Sequence, residues 1–380
     1  VPTKDVLPDS SAKKTRKAIY LISWISFFWS ASSLMVFSIL PIFLSEHLKV
    51  NHVTIGLIEG VAVFASFITK IFAGVLCDYF SNRRFFIIFG SLLSILSKIL
   101  FPIAFTPLFV FFARFLDRMS KGIRSAPADA YVGDICKDQK EFSYAYGVRQ
   151  GLYTLGAACG ALLAMLILFM THNDFSLLFW CAVIPTVISF FLCFKLPANT
   201  QIILQKTHRQ SLKRQLQDVK KLPKRFWQLM FLCAIFMTAR FGEAFVTLRA
   251  KELSCPIELI PSATIVMDLV HASCAYVIGK VTVYRMRETK ALQLGMLFFI
   301  LTHFIFMKAH NLGIMVFGVI TLGIHMGLTQ GVLRSMIAEA TVPAIRGTAF
   351  SVFYLVCATS LLIGNALAGI LSDIFGLYSA

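Results

Sequence analysis

Five charged residues recur three or four positions apart in an apolar stretch of the chain. They are Arg114, Asp117, Arg118, Lys121 and Arg124. On an α-helix this spacing places their side chains on one face over about three turns. Guanidinium and ammonium groups bind carboxylates and phosphates, and a guanidinium can do so through two parallel hydrogen bonds. We call these residues the charged stripe and interpret it as a site for an anionic solute, with a self-neutralised ion-pair network as the alternative.

Three cations of the stripe are candidates for binding the solute, namely Arg114, Arg118 and Lys121. Asp117 lies among them, and their charges favour its ionised form. Asp117 is therefore better suited to an ion pair than to proton transfer, although it belongs to the groups that can carry a proton.

The other predicted proton carriers are Glu243, Asp268 and His271. Asp268 and His271 stand three residues apart and so share one helical face. A carboxylate and an imidazole can relay a proton near neutral pH. This pair is the main candidate for proton coupling.

The elements that position these residues are long apolar segments. Of the 380 residues, 57% are hydrophobic and only 14% are charged, whereas a soluble domain is about half apolar and a quarter charged. Runs of about 20 apolar residues indicate helices that cross a bilayer. The composition therefore predicts an all-α polytopic membrane protein.

Eleven spans are predicted, six before a basic segment and five after it. Their limits are 18–45, 53–78, 84–107, 108–134, 142–171, 174–196, 226–252, 257–283, 290–308, 311–339 and 346–371. The corresponding domains are an N-terminal segment (1–17), a first bundle (18–196), a linker (197–225) and a second bundle (226–380).

The net charge of +17 is concentrated in short connections on one side of the spans. These are the N-terminal segment, the turn with Arg83 and Arg84, and the linker. Cations next to spans stay on the cytoplasmic side, so the N-terminus is predicted to be cytoplasmic and nucleic acid is not expected as a partner. The linker is either an amphipathic helix on anionic lipid or a solvated connection. The nine cysteines have no Cys-x-x-Cys spacing, so neither a disulfide framework nor a zinc site is expected.

The turn GVLCDYFSNRR (74–84), between the second and third spans, resembles the loop 2–3 signature of the major facilitator superfamily. The matching residues are Gly74, Asp78, Arg83 and Arg84. Tyr79 and Ser81 depart from the signature. Two further stretches, KGIRSAP (121–127) and RGTAF (346–350), are similar to a bacterial branch of this superfamily.

The resemblance implies the major facilitator fold, with two six-helix bundles of which this chain lacks the twelfth helix. It implies a monomeric secondary transporter that works by alternating access in the cytoplasmic (inner) membrane, without a cofactor or a bound metal. It also implies that Asp78 faces the positive N-terminus of the eleventh helix near Arg346 and acts as a conformational latch.

Spans one, four, seven and ten line the central cavity in this superfamily. The resemblance therefore adds polar residues of these spans to the predicted site. They are Ser30, Arg240, Glu243, His325 and Gln330. All except Glu243, a predicted proton carrier, are predicted substrate contacts.

The function that fits these features best is proton-coupled transport of a small organic anion that bears a carboxylate or a phosphate, such as a metabolite or a carboxylate-type siderophore. The alternative is a drug:proton antiporter, whose cavity would be acidic and aromatic rather than basic. A membrane-embedded enzyme is a remote third reading, since the sequence shows no nucleophile–base pair and no metal-ligand spacing such as His-Glu-x-x-His.

Overall fold

The computed structural model describes residues 10–80, 82–135, 139–197, 219–240, 242–284, 288–341 and 345–379. Every regular element in these ranges is helical. Most of the predicted linker, residues 198–218, lies outside the described residues, and so do the side chains of Asp78 and Arg346. The predicted domain limits stay a prediction.

The first part of the chain forms six long helices. They are α1 (Ser10–Phe37), α2 (His52–Phe80), α3 (Arg83–Leu100), α4 (Pro107–Ile135), α5 (Gln139–Met170) and α6 (Phe175–Cys193). Between α1 and α2, a short helix (Leu40–Ile42) continues into a π-helical turn (Phe43–His47).

The second part forms the remaining helices. They are α7a (Lys224–Ala239), α7b (Glu243–Glu252), α8 (Pro261–Tyr284), α9 (Glu288–Lys308), α10 (Leu312–Glu339) and α11 (Arg346–Phe375). Short 3-10 turns at Ile257–Leu259 and Leu377–Ser379 precede α8 and follow α11.

Two predicted spans are interrupted within their predicted limits. The span 18–45 breaks after Phe37, where Pro41 at the start of the next short helix has no N–H for a continuous helix. The span 226–252 breaks between α7a and α7b, because Arg240 and Gly242 have extended backbones.

Nine of the described helical stretches are long and apolar enough to cross a membrane by length and composition. Helices α3 and α4 are not among them. Their charges explain this, since α3 carries Arg83, Arg84 and Lys98 and α4 carries the charged stripe. Apolar character alone therefore does not reveal these two helices.

The helices pack in two groups, as the predicted fold class requires. In the first group, α4 packs on α2 and α3, while α1 packs on α5 and α6. In the second group, α10 packs on α8 and α9, and α7a packs on α11. The groups are joined mainly by two helix pairs, α2 with α11 and α5 with α8, and the short helix Leu40–Ile42 also packs on α7b.

The apolar core is shared by both groups at one end of the molecule and divided at the other. We call the shared end the outer end, following the predicted orientation; it carries the turns at 101–106, 171–174 and 309–311. There, Ile42 and Phe179 of the first group belong to one cluster with Phe245 and Met267 of the second. At the inner end each group has its own cluster. The groups are thus closed together at the outer end, and the cleft between them opens inward.

Helices α1 and α5 approach closely through two glycines. Gly156 and Gly160 of α5 lie against the backbone carbonyl groups of Phe27 and Ala31 of α1, where a Cβ atom would overlap them. Closely packed membrane helices use small residues at such contacts. These two glycines therefore serve the packing of α1 on α5.

We expect Gly160→Ala to lower stability by about 1–3 kcal/mol, because the added methyl group overlaps the α1 backbone. Gly151→Ala is the matched control on the same helix, since no atom lies within 4 Å of its Cβ position. Alanine should favour the helix there by up to about 1 kcal/mol. Unfolding of both purified variants in one detergent checks the opposite signs, and equal effects would contradict the packing role.

Candidate functional site

Two members of the charged stripe are paired with residues of neighbouring helices. The Arg114 guanidinium donates to both carboxylate oxygens of Glu59 on α2, at 2.9 and 2.5 Å. The Lys98 ammonium on α3 lies 3.0 Å from the Asp117 carboxylate. Lys98, Arg114 and Asp117 are at most 2% exposed. This geometry favours a structural role for Arg114 over the predicted substrate contact, and an ion pair over proton transfer for Asp117.

The aromatic ring of Phe37, the last residue of α1, faces three of the cations. Its centroid lies 3.5 Å from the Arg114 guanidinium carbon, 4.1 Å from Lys98 Nζ and 5.0 Å from the Arg118 guanidinium carbon. A cation over an aromatic face is stabilised by about 0.5–2 kcal/mol, more when water is excluded. The ring therefore supports the two buried ion pairs and fixes the end of α1 against α4.

Arg124 is held in a different way. It is buried, its guanidinium carbon lies 4.8 Å from the Trp29 ring centroid, and it donates to Ser120 Oγ at 3.1 Å. An aromatic face and a hydroxyl group thus take the place of a carboxylate partner.

Arg118 and Lys121 are the accessible cations of the stripe. Both are partly exposed, and in the described part of the chain no carboxylate lies within ion-pair distance of either. Tyr153 of α5 lies beside Lys121 and Ser30. Ser30 itself is 1% exposed, so its predicted position on the cavity surface is wrong. Tyr153, which the sequence reasoning missed, is partly exposed and adds a phenolic hydroxyl group beside Lys121.

A second polar cluster lies farther toward the inner end of the first group. The Asp129 carboxylate of α4 binds Arg149 of α5 and lies 3.7 Å from Lys70 Nζ of α2. Arg149 also donates to Ser26 Oγ at 3.1 Å. Lys70 Nζ stands 5.1 Å from the ring centroid of Tyr354 on α11, so this cluster reaches the second group.

The break in the seventh span, between α7a and α7b, forms part of the wall that the second helix group contributes to the cleft. Gly364 of α11 lies against the carbonyl groups of Thr238 and Arg240, and only a glycine lets the two backbones approach this closely. Arg240 is partly buried, and Glu243 is exposed in the first turn of α7b. A carboxylate there is stabilised by the helix dipole. Discontinuous helices often form the binding sites of transporters.

Asp268 and His271 of α8 are both partly buried, but no hydrogen bond joins them in the described part of the chain. Asp268 instead interacts electrostatically with Glu243 and with Lys121 of the first group. His271 does so with Arg240 and Arg334. Asp268 of the second group therefore lies near enough to Lys121 of the first group for their charges to interact.

His325 was predicted to face the cavity, and the structure corrects this. The residue is 0% exposed, its Nδ1 lies 2.8 Å from the Gly295 carbonyl oxygen, and its ring lies against Phe236 and Phe299. Rings from two neighbouring helices, α7a and α9, cover this face of α10, so His325 is a core residue.

Gln330, farther along α10, is partly exposed, as expected for a residue of the cleft. Arg334, which the sequence reasoning missed, is exposed one turn beyond it. Residues four apart share a helical face. That spacing from Gln330 is the signal by which Arg334 can be found from the sequence.

The proposed latch is only partly described. Arg84 donates to the Phe194 carbonyl oxygen at 2.5 Å, and an Arg83 nitrogen lies 3.7 Å from Cys77 Sγ. A Cβ atom on Gly74 would lie 4.0 Å from the Ala126 Cβ atom of α4. These contacts hold the turn to its own helix group. The Asp78–Arg346 contact lies outside the described residues and stays a prediction.

A helical fold of two groups with charged side chains turned to the cleft between them defines a multi-pass membrane transporter. Solved structures share this fold. A POT family transporter in complex with 5-aminolevulinic acid superposes with a TM-score of 0.77 at 14% identity, covering 95% of this chain and 92% of that one. The nucleoside transporter NupG superposes with a TM-score of 0.75 at 14% identity, covering 94% and 91%.

Residues 22–253 match the profile of the Major Facilitator Superfamily, and the chain belongs to that superfamily. A relative in Methanocaldococcus jannaschii, an uncharacterized MFS-type transporter, is 25% identical over 94% of this chain and 89% of its own length. The protein is thus a membrane transporter of small molecules. The two solved structures carry different solutes, so the solute has to be inferred from the charged cleft.

We expect Asp117→Asn to destabilise the protein by about 3–5 kcal/mol, because it leaves the Lys98 ammonium buried without a counter-charge. The double variant Lys98→Met/Asp117→Leu removes both charges and should be close to wild type in stability. Unfolding in a fixed detergent, monitored for all three proteins, checks this. If Asp117→Asn and the double variant lose equal stability, the loss does not come from an unpaired Lys98 charge, and the prediction is wrong.

Proposed function

We propose that the protein carries a small organic anion across the cytoplasmic membrane by alternating access, and that Arg118 and Lys121 bind the anion. The observation that carries this proposal is the difference within the charged stripe. Arg114 is neutralised by Glu59, and Arg124 is buried against Trp29. Arg118 and Lys121 are partly exposed, and among the described residues no carboxylate lies within ion-pair distance of either.

A cation at bilayer depth is stable when it faces water or an ionic partner. Arg118 and Lys121 stand one turn apart on α4, so a carboxylate or phosphate can contact both. The guanidinium offers a planar pair of donors, and the ammonium adds a mobile point charge. The hydroxyl group of Tyr153, beside Lys121, supplies a neutral donor for the same ligand.

Asp268 provides a route for proton coupling within this proposal. Its carboxylate acts on Lys121 across the cleft, and an anionic solute would compete with it for that cation. Protonation of Asp268 removes the competitor, so proton binding and anion binding assist each other. By linkage the assistance is reciprocal, and it favours uptake of proton and solute together.

Glu243 gives the drug:proton antiporter some support, because its carboxylate is exposed on the second group and could attract a lipophilic cation. The two functions differ in the charge of the ligand. A thermal-shift screen of the purified protein separates them, since a ligand stabilises the state that it binds. Stabilisation by di- and tricarboxylates or organic phosphates supports the anion transporter, and stabilisation by lipophilic cations alone overturns it.

For an anion found in that screen, Arg118→Gln and Lys121→Gln should each weaken binding by about 1.5–3 kcal/mol, the contribution of a hydrogen bond to a charged group. Lys308→Gln is the matched control, because Lys308 is an exposed cation at the outer end of α9. Titration calorimetry in detergent gives the affinities. Unchanged affinity in both cleft variants would remove the proposed site.

For proton coupling, Asp268→Asn should abolish accumulation of this anion in proteoliposomes under an imposed pH gradient. Exchange of the anion without a gradient should persist, because the binding cations are intact. Accumulation at the wild-type level in Asp268→Asn would show that another group carries the proton. If wild type itself ignores the pH gradient, the transport is not coupled to protons.

A further inference from the structure

The N-terminus of α2 is completed by a side chain from the other helix group. A helix begins with N–H groups that have no partner within the helix. Asn51 precedes α2, and its side-chain oxygen accepts from the Thr54 N–H at 3.1 Å. The N–H groups of His52 and Val53 donate instead to the two carboxylate oxygens of Asp373 on α11, at 2.9 and 3.1 Å.

The His52 side chain adds a third contact to the same carboxylate. Its Nδ1 lies 2.8 Å from Asp373 Oδ1. The side chains of His52 and Asp373 are 30% and 24% exposed. Hydrogen bonds to an ionised acceptor are stronger than neutral ones, and the helix dipole favours a negative charge at this end. Partial exposure lets water replace these bonds when the helices part, so the contact is reversible.

Glycine residues bring the two helices close enough for this contact. A Cβ atom on Gly369 would lie 2.7 Å from the His52 carbonyl oxygen. Gly60, two turns into α2, lies against the backbone of Leu362. Because α2 and α11 belong to different groups, this contact has to break when the outer end opens.

A second polar contact joins the groups at the same end. Asn173 lies in the turn between α5 and α6, and Glu258 lies just before α8. The side-chain amide of Asn173 donates to the Glu258 carboxylate at 3.2 Å. The two main pairs of helices that connect the groups are therefore each bridged at the outer end by an acid from the second group.

We infer that Asp373 is the residue that holds the outer gate shut, by capping the N-terminus of α2 across the interface. In the outer-closed state its carboxylate completes the first turn of α2. In the outer-open state the N–H groups of His52 and Val53 donate hydrogen bonds to water instead. The capping bonds stabilise one state of the transport cycle and contribute nothing to the other, so they set the population of the two states. This inference requires only that the outer end opens and is independent of the solute.

Hydrogen–deuterium exchange of the wild-type protein and its variants in nanodiscs tests it without a solute. Asp373→Asn should raise the exchange rate of residues 52–58 by at least about tenfold, which corresponds to roughly 1.4 kcal/mol. Because the whole outer end opens, exchange should also rise at 171–174 and 255–260, which lie at the second contact. It should fall at the inner ends of α4 and α10, which approach each other when the cleft closes inward.

Gly369→Ala weakens the same contact without changing a charge, because the added methyl group pushes α11 away from His52. It should therefore give the same pattern of hydrogen–deuterium exchange as Asp373→Asn. Glu252→Gln is the control, because Glu252 is an acid at the outer end that binds Arg249 within its own group. It should leave the exchange rates unchanged at residues 52–58, 171–174 and 255–260 and at the inner ends of α4 and α10. Faster exchange confined to residues 52–55 in Asp373→Asn would mean local fraying of α2 and would overturn the gating role. An unchanged pattern in both gate variants would do the same.

Discussion

A charge inside a bilayer requires a counter-charge, an aromatic face or water, and α4 meets this requirement in three different ways along its length. Near its start, Arg114 and Asp117 are paired with Glu59 and Lys98. Farther along, Arg124 rests on Trp29. Between them, Arg118 and Lys121 are partly exposed. The arrangement of the first helix group follows from this, because α1, α2 and α3 each supply what α4 needs.

This constraint also explains how much of the site the sequence predicts. The three- and four-residue spacing reveals the stripe because every member lies on one helix. It does not reveal which members are neutralised, since Glu59, Lys98 and Phe37 come from other helices and only packing brings them to α4. The contrast between Arg114 and Arg118 is thus a property of the fold.

Other differences between the sequence-based predictions and the structure have a similar physical origin. The apolar residues of α1 and α10 surround these helices on nearly all sides, so the sequence pattern does not show which face meets the cleft. Ser30 and His325 are buried for this reason, while Arg334 is exposed. The break at Arg240 is also hidden in the sequence, because its stabilising contacts come from Gly364 on a distant helix. Local apolar length predicts the fold class and nine of the described helical spans, whereas α3 and α4 carry too many charges to be recognised by apolar character alone.

The shared core at the outer end has a thermal consequence. When the outer end opens, apolar residues such as Ile42 and Phe245 leave each other and enter water, whereas the inner clusters stay within their own groups. Exposure of apolar surface raises the heat capacity, so separation of this shared cluster contributes a positive heat-capacity term to outward opening. Because apolar contacts weaken on cooling, the cluster holds the outer end closed less strongly in the cold.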